Sequence, residues 1–196
     1  MRKETLRRKH PGGRNFAPST SLAAESPILV SRIAGSKTHG KLIWGTRVVP
    51  CALGRGGTIR AKREGDGATP VGTWTVIEVR WRGDRIARRR AGLPMRMTRP
   101  QDGWCDDPGS RLYNRPVTLP CRVGHEDLWR VDGLYDVVVV LDYNLRRPAR
   151  GRGSAIFFHL TAPDRRPTAG CVAIDRAAML RLLPRLRPGS RIKVLA

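Results

Sequence analysis

The sequence is short of negative charge. Its 196 residues include 16 Asp and Glu against 38 Lys and Arg, which gives a net charge of +22. Such a charge favours an anionic partner, such as nucleic acid, a lipid surface or an acidic polymer. The excess is mostly arginine scattered beside Ala, Gly and Pro, a pattern that a GC-rich coding bias also produces. Charge alone therefore leaves the choice between bias and a selected partner open.

Long apolar runs are also absent. No window approaches the ~18 apolar residues of a membrane-spanning helix, so we expect no stable membrane insertion. The basic N-terminus lacks the apolar segment of a secretory signal. Residues 1–26 are polar, basic and rich in Pro, Gly and Ser, which predicts a flexible N-terminal tail. The folded domain is predicted to span residues 27–196.

Metal-binding spacings are missing as well. The four cysteines and four histidines form neither a CxxC nor a zinc-finger pattern, so no metal or cofactor is expected. Cys105 and Cys121 flank a turn-rich segment, and their spacing permits a disulfide in an oxidising compartment. Cys51 ends a predicted strand with no histidine nearby in the sequence, and we interpret it as structural.

What is present indicates a mainly β fold, because 21 Gly and 15 Pro imply many turns and short elements. The apolar patterns predict strands in ILVSRIA, KLIWGTRVV, TWTVIEVRW, YDVVVVLDYN, GSAIFFHL and SRIKVLA. The β-branched run in YDVVVVLDYN predicts a central strand. One or two short helices are predicted, at RAAMLRLL after an Asp175 N-cap and at EDLWR. Residues 83–127 lack periodicity and predict a long capping loop.

The stretch FFHLTAPDRRPTAGCVAID carries a candidate nucleophile and base. Cysteine attacks as the thiolate, and a histidine within hydrogen-bond reach can take its proton, which suits Cys171 and His159. Gly170 lets the backbone pass close to a substrate, where N–H groups could form an oxyanion hole. The alternative is that Cys171 is a small buried hydrophobe and His159 an interior histidine with its hydrogen bonds satisfied.

Two motifs resemble one known family. HLTAPDRRPTAGCVA resembles the active-site signature of the L,D-transpeptidases (YkuD domain). KREGDGATPVGTWTV resembles the upstream Gly-Asp-Gly-x-Thr-Pro-x-Gly stretch of the same family. The motifs occur in the family's order, and the resemblance covers roughly residues 27 to 196. It implies a YkuD-like β-sandwich or barrel of mixed sheets, in which residues 27–196 form the catalytic domain.

The resemblance also implies roles for individual residues. Cys171 matches the nucleophile and His159 the base. Gly170 and Cys171 would supply oxyanion N–H groups, and Thr168 takes the Ser/Thr place that shapes the pocket. In the glycine-rich motif itself, we interpret Asp66, Thr69 and Pro70 as turn structure rather than chemistry.

The sequence also departs from the family pattern, which indicates a divergent branch. Ala169 stands where a second histidine is usual, and Ala173 where Arg or Asn is common. The groups that hold a stem-peptide carboxylate would then come from elsewhere. Four residues are candidates for substrate binding: Tyr143, Asn144, Arg165 and Arg166.

By this resemblance the chain is expected to be a periplasmic, monomeric cysteine acyltransferase. It would cross-link peptidoglycan stem peptides through a thioester, in 3–3 or 1–3 linkage, and carbapenem-type inhibitors would acylate it. A cysteine hydrolase on the same scaffold shares every residue assignment. The other alternative is a basic module that binds nucleic acid or an anionic surface. The spread of the arginines and the lack of a recognition helix in the predicted elements disfavour it, and we expect no nucleic-acid partner.

Overall fold

The structure is a computed structural model, and it describes residues 26–87 and 91–196. The predicted tail, residues 1–26, lies outside this part except for Ser26. Within the described residues, β-strands dominate. The strands are β1 (Ile28–Arg32), β2 (His39–Trp44), β3 (Arg47–Ala52), β4 (Thr58–Ile59), β5 (Thr69–Pro70), β6 (Gly72–Trp81), β7 (Met95–Met97), β8 (Asp102–Cys105), β9 (Pro116–Thr118), β10 (His125–Asp127), β11 (Val137–Leu141), β12 (Phe157–Leu160), β13 (Val172–Ile174) and β14 (Arg191–Val194). One α-helix, α1 (Arg176–Leu182), leads into a 3-10 turn (Leu183–Arg185).

The main sheet closes on itself. Its strands follow the order β11-β12-β13-β3-β2-β1-β14-β6, and β6 pairs again with β11, while β7 lies beside β6. Parallel and antiparallel pairs both occur, so the sheet is mixed. The prediction of a mainly β, barrel-like fold with short helices is confirmed.

The central strand of the prediction is β11, which is buried at every position. It pairs antiparallel with both β12 and β6. Because side chains alternate along a strand, Val137 and Val139 enter the main core while Val138 and Val140 enter a second apolar cluster on the opposite face. The uninterrupted run of valines is thus explained by burial on both faces, as predicted.

Two predicted strands are shorter than the sequence pattern indicated. KLIWGTRVV is a hairpin of β2 and β3 rather than one strand, because the chain turns at Gly45, whose φ is 55°. In GSAIFFHL only Phe157–Leu160 is strand, since Ala155 adopts a positive φ of 49° just before it.

The predicted helix forms where the capping signal placed it. The Asp175 carboxylate accepts a 2.8 Å hydrogen bond from the backbone N–H of Ala178, which is the expected N-cap contact. Ala178, Met179 and Leu182 turn one face of α1 into the main core. Across residues 26–87 and 91–196, no helix combines the length and the apolarity that a bilayer crossing needs.

In the predicted capping loop, the described residues 83–87 and 91–127 include regular strands. Strands β8, β9 and β10 form a small antiparallel sheet, here called the cap sheet. The predicted helical turn at EDLWR is wrong, because Glu126 pairs with Trp104 within this sheet. Trp104 meets Phe157 edge-to-face at 5.1 Å, so the cap sheet covers the second apolar cluster. Cys105 and Cys121, whose spacing permitted a disulfide, are both free thiols.

Candidate active site

Two parallel strands bring the candidate nucleophile and base together. In the register of β12 and β13, Phe158 lies opposite Val172 and His159 opposite Ala173. Cys171 is two residues before Ala173, so its side chain shares a face with that of His159. Both side chains are 5% exposed and line the same cavity of about 390 Å³. The cavity lies on the side of the sheet that the cap sheet covers.

The Cys171 thiol is held by the backbone of the segment that leads into β12. Its Sγ accepts a hydrogen bond from the Phe157 N–H at 3.2 Å and donates to the Ala155 carbonyl at 3.3 Å. Burial raises the pKa of Cys171 to about 12, and the negative charge of Glu126 adds to this effect. Cys171 is therefore a thiol at neutral pH.

The His159 ring is oriented by its neighbour's carbonyl. Nδ1 lies 2.8 Å from the Leu160 oxygen, which can only accept, so the ring proton sits on Nδ1 and the Nε2 lone pair is left to act as a base. Burial lowers the pKa of His159 to about 4, so the ring is neutral. In the described part of the chain no hydrogen bond joins His159 to Cys171. The site is a neutral thiol–imidazole pair rather than an ion pair.

Two threonines fix the peptide unit of the candidate nucleophile. The Thr168 hydroxyl donates to the Cys171 carbonyl at 2.7 Å and accepts from the Gly170 N–H at 3.1 Å. Thr69, from the upstream motif, donates to the same carbonyl at 3.4 Å and accepts from the Gly54 N–H at 2.8 Å. The Gly170 N–H is thus engaged by Thr168, and the oxyanion role of Gly170 stays a prediction.

The upstream glycine-rich motif packs directly behind the nucleophile. Gly170 has a φ of 138°, and a Cβ at this position would lie 2.9 Å from the carbonyl oxygen of Ala68. The Asp66 carboxylate accepts from the Ala68 N–H at 2.8 Å and shapes the turn, which agrees with its interpretation as turn structure. The two motifs of the sequence therefore form one unit, in which the first supports the backbone of the second.

The four candidates for substrate binding are only partly brought to the cavity. Arg166 lines it, whereas Arg165 is exposed and does not. The Tyr143 hydroxyl donates to the Arg152 carbonyl, and its ring packs edge-to-face on Trp74 at 4.8 Å. The Asn144 amide bonds the backbone of the adjacent loop, residues 149–153. Tyr143 and Asn144 thus shape a loop outside the cavity.

Three residues near His159 were not identified from the sequence: Glu126 in the cap sheet, and Arg130 and Tyr135 in the segment that follows it. The Tyr135 hydroxyl donates to Glu126 Oε1 at 2.6 Å, and its ring meets the His159 ring at 5.0 Å with an interplanar angle of 72°. The Arg130 guanidinium lies 5.0 Å from the Tyr135 ring centroid. No local motif marks these positions, because the pairing of β11 with β12 and the cap sheet together bring them to the site.

The cavity wall carries both negatively and positively charged side chains. Carboxylates and guanidinium groups of the wall come from Glu64, Asp106 and Glu126 and from Arg55, Arg130 and Arg166. Burial raises the pKa of both Glu126 and Asp106, and neighbouring carboxylates add to the shift. Ala169 and Ala173 also line the cavity. Because both side chains are apolar, other residues supply the polar groups of the wall.

No metal site accompanies this arrangement in the described ranges, where no group of three or more His, Cys, Asp or Glu side chains is placed to hold an ion. The described side chains of the cavity include a thiol, an imidazole and charged groups of both signs.

Comparison with known proteins identifies the domain. The family model of the L,D-transpeptidase catalytic domain, YkuD, matches residues 31–194. A search among curated proteins found no match, and neither did a search among solved structures.

Proposed function

Because the chain belongs to the family of the L,D-transpeptidase catalytic domain, we propose that it is a cysteine acyltransferase that cross-links the stem peptides of peptidoglycan. One observation carries the proposal. Within the matched domain, a buried thiol and a neutral imidazole with a free Nε2 share one face of the sheet and one cavity. The family's reaction needs a nucleophile and a base of this kind.

In the first half-reaction, Cys171 Sγ attacks the donor carbonyl as His159 Nε2 takes its proton. A C–S bond forms, and negative charge develops on the carbonyl oxygen. The Leu160 carbonyl accepts a hydrogen bond from Nδ1–H and so stabilises the imidazolium. Burial disfavours that cation, as the low pKa of His159 indicates, and this drives the proton on to the leaving amine. Loss of the amine leaves a thioester on Cys171.

In the second half-reaction an acceptor amine attacks the thioester. His159 Nε2 takes a proton from the amine and returns one to the Cys171 sulfur as the new amide forms. The amine of diaminopimelate, which the family resemblance implies, would enter as an ammonium and lose one proton to solvent before it attacks as the free amine. The carboxylates of Glu64, Asp106 and Glu126 attract such a cation, and Arg55 and Arg166 attract substrate carboxylates. Since peptidoglycan lies outside the cytoplasmic membrane, the proposal places the protein in the periplasm, as a monomer.

The proposal is tested with a carbapenem as acylating probe. We expect intact-mass analysis to show one adduct on the wild type and none on Cys171→Ala. An unmodified wild type, or an adduct that persists in Cys171→Ala, would remove Cys171 as the nucleophile. If Cys171→Ala retained the biological function of the wild type in full, that result would instead favour a basic module that binds nucleic acid or an anionic surface.

A second assay identifies the acceptor. Incubation with isolated sacculi followed by muropeptide analysis is expected to show new 3–3 or 1–3 cross-links. Shortened stems without new cross-links would show that water is the acceptor, and would make the protein a hydrolase on the same scaffold.

A further inference from the structure

Tyr135 is the aromatic residue packed against the candidate base. It lies two residues before β11 and is 4% exposed. Its ring contacts His159 edge-to-face at 5.0 Å and Phe157 edge-to-face at 6.1 Å. Nothing in the two sequence motifs includes this residue. The contact therefore adds a component to the site that the motifs do not describe.

The His159 ring is held at its nitrogens by backbone carbonyls. Nδ1 lies 2.8 Å from the carbonyl oxygen of the next residue, Leu160, and the Leu134 carbonyl also acts on the ring. Contacts at the nitrogens alone leave the plane of the ring some freedom to tilt. An aromatic ring packed against the imidazole removes this freedom, and a base must be held within a fraction of an ångström to act.

Tyr135 is in turn fixed from the cap sheet. Its hydroxyl donates to Oε1 of Glu126 on β10 at 2.6 Å. Arg130 lies 5.0 Å from its ring centroid and is itself held by Asp132, with a shortest contact of 2.6 Å. Arg130 also lies 3.6 Å from Glu126. These contacts connect the cap sheet, through one tyrosine, to the imidazole.

We infer that Tyr135, tethered by Glu126 of the cap sheet, is a positioning residue that holds the His159 imidazole in the orientation and tautomer that expose Nε2 to Cys171. The inference rests on the proposed function for its catalytic consequence. It gives the cap sheet a part in assembling the base, beyond covering the cavity. Tyr135 acts through His159 and has no chemical step of its own.

The kinetic test uses Tyr135→Leu, which removes the ring, and Tyr135→Phe, which removes only the tether. The maximal rate of Cys171 acylation by a carbapenem is expected to fall about 100-fold in Tyr135→Leu and about fivefold in Tyr135→Phe. The concentration for half-maximal rate should change little. Tyr113→Leu is the matched control, because Tyr113 is 3% exposed and donates to the cavity carboxylate Glu64 but has no ring contact with His159.

The final adduct stoichiometry measures the folded fraction, so a slower rate at full stoichiometry separates positioning from loss of structure. If Tyr135→Leu does not fold, Tyr135→Phe decides. Unchanged acylation rates in the folded Tyr135 variants would overturn the inference, as would an equal loss in Tyr113→Leu.

A spectroscopic test does not depend on activity. Nitrogen-15 NMR of the histidine side chains is expected to show a single Nδ1–H tautomer for His159 in the wild type and in Tyr113→Leu, and mixed tautomers in Tyr135→Leu. An unchanged His159 spectrum in Tyr135→Leu would overturn the inference. If the wild type forms no adduct, the proposed function fails, and this spectrum alone decides whether Tyr135 positions the ring.

Discussion

Two Cys–His pairs can be compared in the described part of the chain, and the pair joined by a hydrogen-bond contact is not the one at the cavity. In the cap-sheet region, Cys121 Sγ lies 3.4 Å from Nδ1 of His125. The same Nδ1 lies 2.7 Å from the Val123 carbonyl, which can only accept, so this nitrogen carries the proton. Both histidines thus contact a backbone carbonyl through Nδ1, but in His125 this protonated nitrogen is also the one nearest its cysteine, so it offers no lone pair to the thiol.

The surroundings of the two pairs differ as much as their contacts. The carbonyl of Cys171 accepts from two threonine hydroxyls, and its thiol opens on a cavity of about 390 Å³. Cys121 is half-buried and makes a weak 3.8 Å contact with the Val123 carbonyl. The comparison teaches that proximity of sulfur and imidazole is a poor criterion for an acyltransfer site. The proton's position and a supported backbone beside a cavity are better ones.

The most direct test of this comparison is to replace each histidine in turn. His159→Gln is expected to lower the rate of carbapenem acylation by about 10²–10⁴-fold, because general-base assistance is lost. His125→Gln should leave the rate within about twofold of the wild type. Stopped-flow or mass-resolved kinetics would measure both. Equal losses in the two variants would show that the cap-sheet pair takes part in the reaction.

The same two histidines should also differ in how they change the free energy of unfolding as the pH falls. The folded pKa of His159 is about 4 against an ordinary value of 6.5, so the unfolded state binds its proton more readily. His159 therefore makes the protein lose about 3 kcal/mol of unfolding free energy as pH falls from about 6.5 to 4. Urea unfolding across this range is expected to show that loss in the wild type and in His125→Gln, and not in His159→Gln. An equally steep loss in His159→Gln would contradict the assignment.

Gly170 precedes Cys171 and Gly124 precedes His125. Replacing each glycine by alanine should lower the free energy of unfolding by different amounts. Gly170→Ala introduces strain at a φ of 138° and a Cβ 2.9 Å from a backbone oxygen, so a loss of about 2 kcal/mol is expected. At Gly124, before His125, the nearest atom to an added Cβ is a side-chain oxygen of Asp106 at 3.1 Å. Because that carboxylate can shift, Gly124→Ala should cost less than about 1 kcal/mol. Chemical denaturation of both variants provides the measurement, and equal costs would be the contrary result.

The smallest effect is expected for the second cysteine. Cys121→Ala removes a half-buried thiol that touches neither the cavity nor the threonine supports, so stability should change by about 0.5 kcal/mol or less. Thermal unfolding and carbapenem adduct mass would both match the wild type. A lost or slowed adduct would assign Cys121 a part in the site.

Local signals in the sequence predicted the framework of the domain. The valine run predicted β11, and Asp175 predicted the start of α1. The family motifs predicted that Cys171 and His159 lie close together, and both line one cavity. Family membership and the β-rich fold are confirmed, while the catalytic roles of the individual residues remain predictions.

Other features depend on contacts between distant segments. The strands of the cap sheet have three or four residues each, too few for a periodic pattern. Tyr135 reaches His159 because β11, which begins two residues later, pairs with β12, and Glu126 reaches Tyr135 from the cap sheet. The turn inside KLIWGTRVV was missed because apolar residues on both sides of Gly45 hid a single glycine signal.

The closure of the main sheet has a consequence for how the protein would lose activity. Because β11 pairs with β12 on one side and β6 on the other, the strand bearing His159 is tied into a continuous hydrogen-bonded ladder. Its amide protons, and those of β13, would exchange with solvent only when that ladder opens as a whole. We therefore expect the cavity at Cys171 and His159 to be lost together with the fold, which hydrogen exchange of β12 and β13 would measure.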